Sequence, residues 1–279
     1  MSRIELAMEK AAHFKQELDR PGAEVVQIRP ARGMQQPEQY AQRYGKLTPD
    51  HPFLLINLSD PHCPMAEEYG KLKSVLMQRS AGEKFRSCVM VTSSVPNEGK
   101  SLTAVNLALS LAQEVDNTVL LVDADFRNPS VHSYLNVEQG VGLSEVLAGK
   151  ARLEEAIIAT GIGKLSIIRA GRSVDNPAEL FISNRTNAVI KELKGRYPDR
   201  FILFDTAPVL PFAEPRSLAF LMDGVLMVVR EQLASRESVQ EAVESLKGCP
   251  LLGIVYNAAC SVDNSGRYAS YHGPAGTRT

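Results

Sequence analysis

Several features that would direct the interpretation elsewhere are missing from this 279-residue sequence. No stretch approaches the ~20 apolar residues of a membrane span. The best candidate, Leu218 to Val229, is short and is interrupted by Asp223 and Gly224. The first ten residues, MSRIELAMEK, carry charges where the apolar core of a signal peptide would lie. These absences predict a cytoplasmic protein.

Neither a charge excess nor a cysteine pattern indicates a ligand. The 31 basic and 32 acidic residues give a formal net charge of -1, so we expect no nucleic-acid partner. The four cysteines, Cys63, Cys88, Cys249 and Cys260, form no C-x-x-C pair. A metal site or a disulfide framework is therefore disfavoured, and incidental thiols in a reducing compartment are expected.

Composition divides the chain into four parts. Residues 1–20 carry apolar residues at helical spacing, which predicts an amphipathic helix that is either a solubilised leader or a docking element. Residues 21–52 are rich in Gln, Pro and charge and predict a flexible linker. Residues 53–259 form the main domain, and 260–279 are polar and predict a mobile tail that contains tyrosines.

The main domain alternates short apolar strands with helices. Strands are predicted at 88–94, 117–125, 164–171, 201–208, 224–230 and 251–258. Helices are predicted at 66–78, 102–115, 142–149, 176–197, 215–222 and 235–248. Apolar strands without clean two-residue alternation are typical of parallel sheets that helices cover on both faces. We therefore expect an α/β fold, a doubly wound and mainly parallel sheet of the P-loop NTPase type.

A candidate phosphate-binding loop, SSVPNEGKS, lies between the first of these strands and a helix. Gly99, Lys100 and Ser101 match the consensus G-x-x-x-x-G-K-[ST], and Ser94 occupies the place of its first glycine. Backbone N–H groups beside a helix N-terminus would bind phosphate, Lys100 would neutralise it, and Ser101 would ligate Mg²⁺. The predicted nucleotide contacts in the loop are Asn97, Glu98, Gly99, Lys100, Ser101 and Leu102.

Three acidic residues follow predicted strands. Asp123 and Asp125 end one strand, in LLVDADFR, and Asp205 ends another, in FILFDTAP. Because ligands of open parallel sheets bind at the carboxyl ends of strands, we expect these acids to converge on the phosphate loop. Mg²⁺ prefers oxygen ligands and keeps several waters, so these acids predict a magnesium site.

Together, S-x-x-P-x-E-G-K-S, L-L-V-D-x-D-x-R-x-P and F-D-T-x-P resemble the Walker A, A′ and B motifs of the bacterial tyrosine kinase family. The similarity runs from about Glu67 to Tyr271. The segment from Asp123 to Arg127 resembles the form found in cytosolic kinase partners of exopolysaccharide chain-length machinery.

The resemblance implies ATP·Mg-dependent autophosphorylation in trans within a homo-oligomer, and regulation of exopolysaccharide synthesis, polymerisation or export. Its implied partner is the cytosolic segment of a membrane polysaccharide co-polymerase, which would recruit the chain to the inner face of the membrane. It also assigns residue roles: catalysis to Lys100, Asp123, Asp125, Asp205 and Arg127, with Asp123 as the base; metal binding to Ser101, Asp125 and Asp205; and adenine contact to Asn257.

Two segments bear on assembly. Tyr268 and Tyr271 are the candidate phosphoacceptors in the tail. The family's E-x-x-R-x-x-R segment, which its members use between subunits of a ring, begins here at Glu67 but has Gly70 and Lys73 in place of its arginines. Since lysine lacks the bidentate fork of arginine, a plain solvated helix face is the alternative to a ring contact.

Two other functions remain open from the residues. One is an ATPase switch of the partition or septum-site type, although the loop lacks that type's additional lysine between Cys88 and Gly99. The other is a nucleotide-binding regulator of polysaccharide assembly without catalysis. The sparse tyrosines of the tail keep it open, and the intact set of Lys100, Asp123, Asp125 and Asp205 argues against it.

Overall fold

In the computed structural model, the structure describes residue 54 and residues 64–80, 88–114, 117–196 and 200–259. The predicted N-terminal helix, the linker and the tail lie outside the described residues, as do Tyr268, Tyr271, Cys63 and Cys260. Within the described ranges, no helix has the length and apolar character needed to cross a membrane.

Seven strands of the described residues form one sheet. They are β1 (Cys88–Ser93), β2 (Thr118–Asp123), β3 (Ile157–Ala159), β4 (Leu165–Ile168), β5 (Arg200–Asp205), β6 (Gly224–Arg230) and β7 (Leu251–Asn257). Their order is β3-β4-β2-β5-β1-β6-β7. Every pairing is parallel except the antiparallel β3–β4 pair at one edge. The predicted parallel sheet is confirmed, and β3 is an addition that its three residues did not signal.

Helices cover both faces of this sheet, as predicted. They are α1 (Pro64–Ser80), α2 (Lys100–Leu111), α3 (Val131–Tyr134), α4 (Leu143–Leu147), α5 (Leu153–Ala156), α6 (Pro177–Ile182), α7 (Asn184–Arg196), α8 (Glu214–Ala219) and α9 (Arg236–Ser245). On one face, Val89 of β1 packs in a core with Leu76 of α1 and Leu107 of α2. On the other face, its neighbour Met90 lies in a core with Leu193 of α7. Successive side chains of β1 therefore point to opposite faces of the sheet and pack in two separate cores.

The single long helix predicted over 176–197 is wrong, because the structure divides it at Ser183. That residue has extended backbone, with φ −64° and ψ 150°. Its hydroxyl accepts a hydrogen bond from the backbone N–H of Thr186 at 3.2 Å. Serine at a helix start satisfies an N–H that would otherwise lack a partner, and this favours a new helix over continuation. The helix predicted over 102–115 also ends early, at Leu111.

Helix α1 confirms the helix predicted over 66–78 and packs on α2. Burial raises the pKa of Tyr69 on α1, against the opposing effect of hydrogen bonds with Asn106 and Thr103. Lys73 forms an ion pair with Glu114 of the same chain. The lysine that replaces an arginine of the ring segment thus has an intramolecular partner, while ring assembly itself stays a prediction.

Candidate active site

The topology brings the sequence-predicted acids and the phosphate loop together at the carboxyl ends of the central strands. Strand β5 lies between β2 and β1, and all three run parallel. In register, Asp205 pairs with Asp123 of β2 on one side and with Val91 of β1 on the other. The buried carboxylate of Asp205 therefore lies on the strand next to the one that leads into the phosphate loop, and that of Asp123 lies one strand further away, at the strand ends where the sequence argument expects them.

The phosphate loop joins β1 to the N-terminus of α2. Asn97 and Gly99 have left-handed backbone, with φ 66° and 89°. A Cβ at position 99 would displace the side-chain amide of Asn257, and the left-handed backbone there disfavours any residue other than glycine. Lys100 begins α2, and Ser101 and Leu102 follow in its first turn. Its free N–H groups and the positive end of its dipole suit an anion.

Lys100 is the cation of the site. Its Nζ lies 2.7 Å from Oδ2 of Asp125 and 3.9 Å from Oδ1 of Asp205. It also donates a hydrogen bond of 3.0 Å to the Ser101 hydroxyl. Burial alone would lower the pKa of Lys100, but Asp205 and Asp125 outweigh it and leave that pKa raised, so the ammonium keeps its charge.

Asp205 is completely buried, yet neither of its oxygens has a donor in hydrogen-bonding geometry within the described part of the chain. Burial raises its pKa to about 6, which Lys100 and the nearby Ser101 hydroxyl oppose. A buried carboxylate without donors is costly unless a ligand compensates it. Asp205, Asp125 and the Ser101 hydroxyl are hard oxygen donors of the kind that Mg²⁺ takes, so the residues present fit a magnesium ion.

The described residues offer no complete cluster of three or more His, Cys, Asp or Glu ligands for a metal. Magnesium does not require one, because it is usually held by one or two carboxylates, waters and substrate phosphates. The fit therefore rests on Asp205 and its neighbours acting together with a bound phosphate.

Asp123 and Asp125 are held by the loop that follows β2. Oδ1 of Asp123 accepts the N–H of Asp125, and Oδ2 accepts the N–H groups of Ser130 and Val131 at 3.0 and 3.1 Å. Burial and the neighbouring Asp205 raise the pKa of Asp123 well above its ordinary value, against these backbone bonds. Oδ1 of Asp125 accepts the N–H groups of Arg127 and Asn128. Both acids therefore shape the loop as well as face the site.

Arg127 is oriented by two side chains that sequence reasoning did not connect to it. Its Nε donates to Oε1 of Glu214 at 2.7 Å. Its guanidinium lies over the ring of Phe212, 5.0 Å from the centroid. Glu214 is the first residue of α8, where its charge suits the helix N-terminus, and it is buried and paired with Arg127. The spacing of 87 residues between the partners gives no sequence signal.

Glu98 and Asn257 meet at the back of the phosphate loop. Nδ2 of Asn257 donates a 2.8 Å hydrogen bond to the carbonyl oxygen of Glu98. The Glu98 carboxylate is buried and binds within the chain rather than at the loop's open side. The structure thus brings Asn257 to the nucleotide loop, and its contact with adenine stays a prediction.

Comparison with known proteins gives related sequences and structures. The family described as an AAA domain matches residues 96–249. Tyrosine-protein kinase YwqD of Bacillus subtilis (strain 168) is 35% identical over 205 residues, which cover 73% of this chain and 85% of that protein. The kinase domain of Escherichia coli tyrosine kinase ETK superposes with a TM-score of 0.68 and 26% identity, over 81% of this chain and 90% of that one.

A septum-site-determining protein, MinD of Pyrococcus horikoshii OT3 complexed with Mg-ADP, superposes less closely. Its TM-score is 0.52 at 26% identity, over 60% of this chain and 68% of that one. The chain therefore shares its fold with this septum-site-determining protein and more of its length with the tyrosine kinase domain.

Proposed function

The chain belongs to the bacterial tyrosine-protein kinase family and is a protein-tyrosine kinase, and from that premise we propose that it transfers the γ-phosphoryl group of ATP to Tyr268 and Tyr271 of a neighbouring copy. One observation carries the proposal. A buried ammonium, a helix N-terminus and the Asp205 carboxylate, which finds no donor in hydrogen-bonding geometry among the described residues, meet beside one loop. That combination suits a triphosphate with its divalent cation.

In this proposal Lys100 and the N–H groups at the start of α2 hold the β- and γ-phosphates. Ser101, Asp125 and Asp205 supply oxygen ligands for Mg²⁺. The ion, when bound, neutralises charge on the phosphate oxygens. Lys100 exchanges part of its contact with Asp125 for phosphate, which leaves that carboxylate available to the metal. Positioning and charge stabilisation account for most of the rate gain in phosphoryl transfer.

We assign to Asp123 the role of general base, which accepts the hydroxyl proton of the incoming tyrosine. Its raised pKa makes its carboxylate a stronger proton acceptor than an ordinary aspartate, which supports this role. We assign to Arg127, which Glu214 and Phe212 hold, the stabilisation of charge on the transferred group or on its acceptor. Asn257 is assigned to the adenine base from its position against the phosphate loop.

The test begins with purified full chain incubated with ATP and Mg²⁺, followed by mapping of phosphotyrosine. Lys100→Met and Asp123→Asn are expected to abolish phosphotyrosine. The pair Tyr268→Phe with Tyr271→Phe is expected to remove most of the signal while ATP still binds. Glu241→Gln, an exposed acid on α9, is the matched control and is expected to phosphorylate normally.

Transfer between copies needs a mixing experiment. Lys100→Met, which keeps the tail, is mixed with the active double Tyr→Phe variant, and phosphotyrosine is expected on the Lys100→Met copies. Phosphate release without phosphotyrosine in the wild type would instead favour a switch ATPase. Wild-type phosphotyrosine content in Lys100→Met or Asp123→Asn would refute the assigned roles.

We further propose that the kinase regulates exopolysaccharide synthesis, polymerisation or export at the cytoplasmic face of the membrane, activated by the cytosolic segment of a membrane co-polymerase. The support is the resemblance of the Asp123 to Arg127 segment to that class of kinases. The check is the autophosphorylation rate with and without the cytosolic peptide of such a protein, where no acceleration would contradict the proposed partner.

A further inference from the structure

The phosphate loop contains a buried carboxylate, that of Glu98, whose hydrogen-bond partners are groups of the protein itself. Oε2 of Glu98 accepts the hydroxyl of Ser94 at 2.6 Å and the N–H of Val95 at 2.8 Å. Oε1 accepts the N–H of Arg230 at 3.2 Å. The Glu98 residue is 0% exposed. All three donors are therefore satisfied by one side chain that water does not reach.

A second set of contacts fixes the same residue to the sheet. The carbonyl oxygen of Glu98 accepts Nδ2 of Asn257. Arg230 and Asn257 end β6 and β7 and are register partners. The carboxylate of Glu98 thus binds the start of its own loop and the end of β6. Its backbone carbonyl oxygen binds the end of β7.

The charge of Glu98 makes a packing role alone an incomplete account. A buried anion near a phosphate site disfavours phosphate and costs desolvation energy. Hydrogen bonds to a charged acceptor are, however, roughly twice as strong as neutral ones, so three donors hold the loop firmly. Ser94, which replaces the first consensus glycine, supplies one of these donors. Ser94, the departure from the consensus, and Glu98, the buried acid, therefore form a single hydrogen-bonded pair.

We propose that Glu98 is a positioning residue, whose carboxylate closes the phosphate loop through Ser94 and Val95 and anchors it to Arg230 at the end of β6. A loop already closed loses little conformational freedom when phosphate binds, so affinity is higher than for an open loop. The inference rests on the proposed nucleotide site. It predicts that Glu98 acts on nucleotide affinity and leaves the chemistry of transfer to other residues.

Glu98→Gln is the sharpest probe, because it keeps the shape but offers one acceptor oxygen and an N–H₂ group. One of the three donors must then lose its acceptor. We expect the KM for ATP and the Kd for Mg·ADP to rise about tenfold, the effect of one unpaired buried donor. The kcat for phosphotyrosine formation should stay within about twofold. Global destabilisation would instead lower kcat by reducing the active fraction at unchanged KM.

Ser94→Ala tests the same contact from its other side and leaves the acid in place. We expect a rise of about threefold in both constants, since a hydroxyl is lost without stranding a second donor. In the double variant the two effects should not multiply fully, because Ser94 and Glu98 are in direct contact and removing either one loosens the same loop. Glu241→Gln on the exposed face of α9 is the control for loss of one acidic charge.

Unchanged KM and Kd in Glu98→Gln would overturn the inference, as would a lower kcat at unchanged KM. Fully multiplicative effects in the double variant would show that Ser94 and Glu98 act independently and would also overturn it. If Glu98→Gln does not fold, Ser94→Ala decides alone, by a raised or an unchanged KM. Absence of Mg·ADP binding by the wild type would instead refute the proposed function.

Discussion

Asp123 and Asp205 occupy equivalent places on neighbouring strands but have opposite surroundings. Each ends a central strand, the two are register partners, and both are 0% exposed. Asp123 accepts three backbone N–H groups, whereas Asp205 has no donor in hydrogen-bonding geometry within the described residues. Two equally buried aspartates therefore differ in role: Asp123 stabilises the loop after β2, and Asp205 remains available to a ligand.

The difference shows how this site divides stability from function. Hydrogen bonds to Asp123 fix the turn after β2 and the start of α3. The Asp205 carboxylate accepts no such hydrogen bonds from the described residues in the metal-free fold, and its ionised form is stabilised mainly by Lys100. Buried polar groups without partners are uncommon in folded proteins and concentrate where a ligand completes them. The same substitution at both positions is therefore expected to give effects of opposite sign.

Asp123→Ala is expected to cause the largest effect, a loss of about 4 kcal/mol in the free energy of unfolding. Three N–H groups, two of them in buried contacts, lose their acceptor at about 1–3 kcal/mol each. Removal of a buried carboxylate, whose pKa is raised by burial and by Asp205, offsets part of this loss. Urea unfolding of the metal-free protein measures it. Glu241→Gln should be neutral, and a loss for Asp123→Ala below about 1 kcal/mol would contradict the scaffolding role.

Asp205→Ala is expected to stabilise the metal-free protein at neutral pH by about 1 kcal/mol, because relief of the buried carboxylate outweighs the loss of one of the two acidic partners of Lys100. Its folded pKa of about 6 exceeds the ordinary 3.8, so the fold favours the protonated acid. Wild-type stability therefore falls as pH rises from about 4 to about 6 and stays lower above, and the variant escapes this loss. Unfolding at pH 4 and at pH 7 should show the gain only at the higher pH.

The same variant should lose the stabilisation that Mg·ADP gives the wild type, because its metal ligand is gone. A gain of equal size at both pH values would contradict the assigned titration. Retained Mg·ADP stabilisation would contradict the assigned metal role, whichever way stability changes.

The contrast between these two aspartates marks the limit of what the sequence predicts. Strand-end position and the G-K-S match correctly placed Lys100, Asp123 and Asp205 at one edge of the sheet, because topology follows from hydrophobic pattern. Hydrogen-bond partners follow from the tertiary path of the loops, which no local pattern encodes. The pairing of Arg127 with Glu214 and the inward turn of Glu98 were missed for the same reason. The break at Ser183 did have a local signal, a serine able to begin a helix.

Asp125→Asn should fall between the two extremes and sharpen the comparison. Oδ1 of Asp125 accepts two backbone N–H groups, as Asp123 does, and Oδ2 faces Lys100, as Asp205 does. Asparagine can keep the backbone bonds through its oxygen but loses the charge opposite Lys100. We expect a loss of about 1 kcal/mol in the free energy of unfolding. The factor by which Mg²⁺ lowers the Kd for nucleotide should be at least about tenfold smaller than in the wild type. A gain in stability over the wild type would instead place Asp125 with Asp205.

Glu214→Gln is expected to have the smallest effect on stability, below about 1 kcal/mol, because Arg127 keeps its contact with Phe212 and partial exposure to water. Its effect should lie in catalysis instead. A guanidinium held only by an aromatic face samples more orientations, so we expect kcat to fall about fivefold with KM for ATP unchanged. Glu179→Gln, an acid in the first turn of α6, is the control for a helix-start charge, and its kcat should not change. If both variants lower kcat equally, Glu214 acts only as a helix-start charge. If only Glu214→Gln does, its carboxylate acts by orienting Arg127, and the scaffold that distinguishes Asp123 from Asp205 extends to the site's second cation.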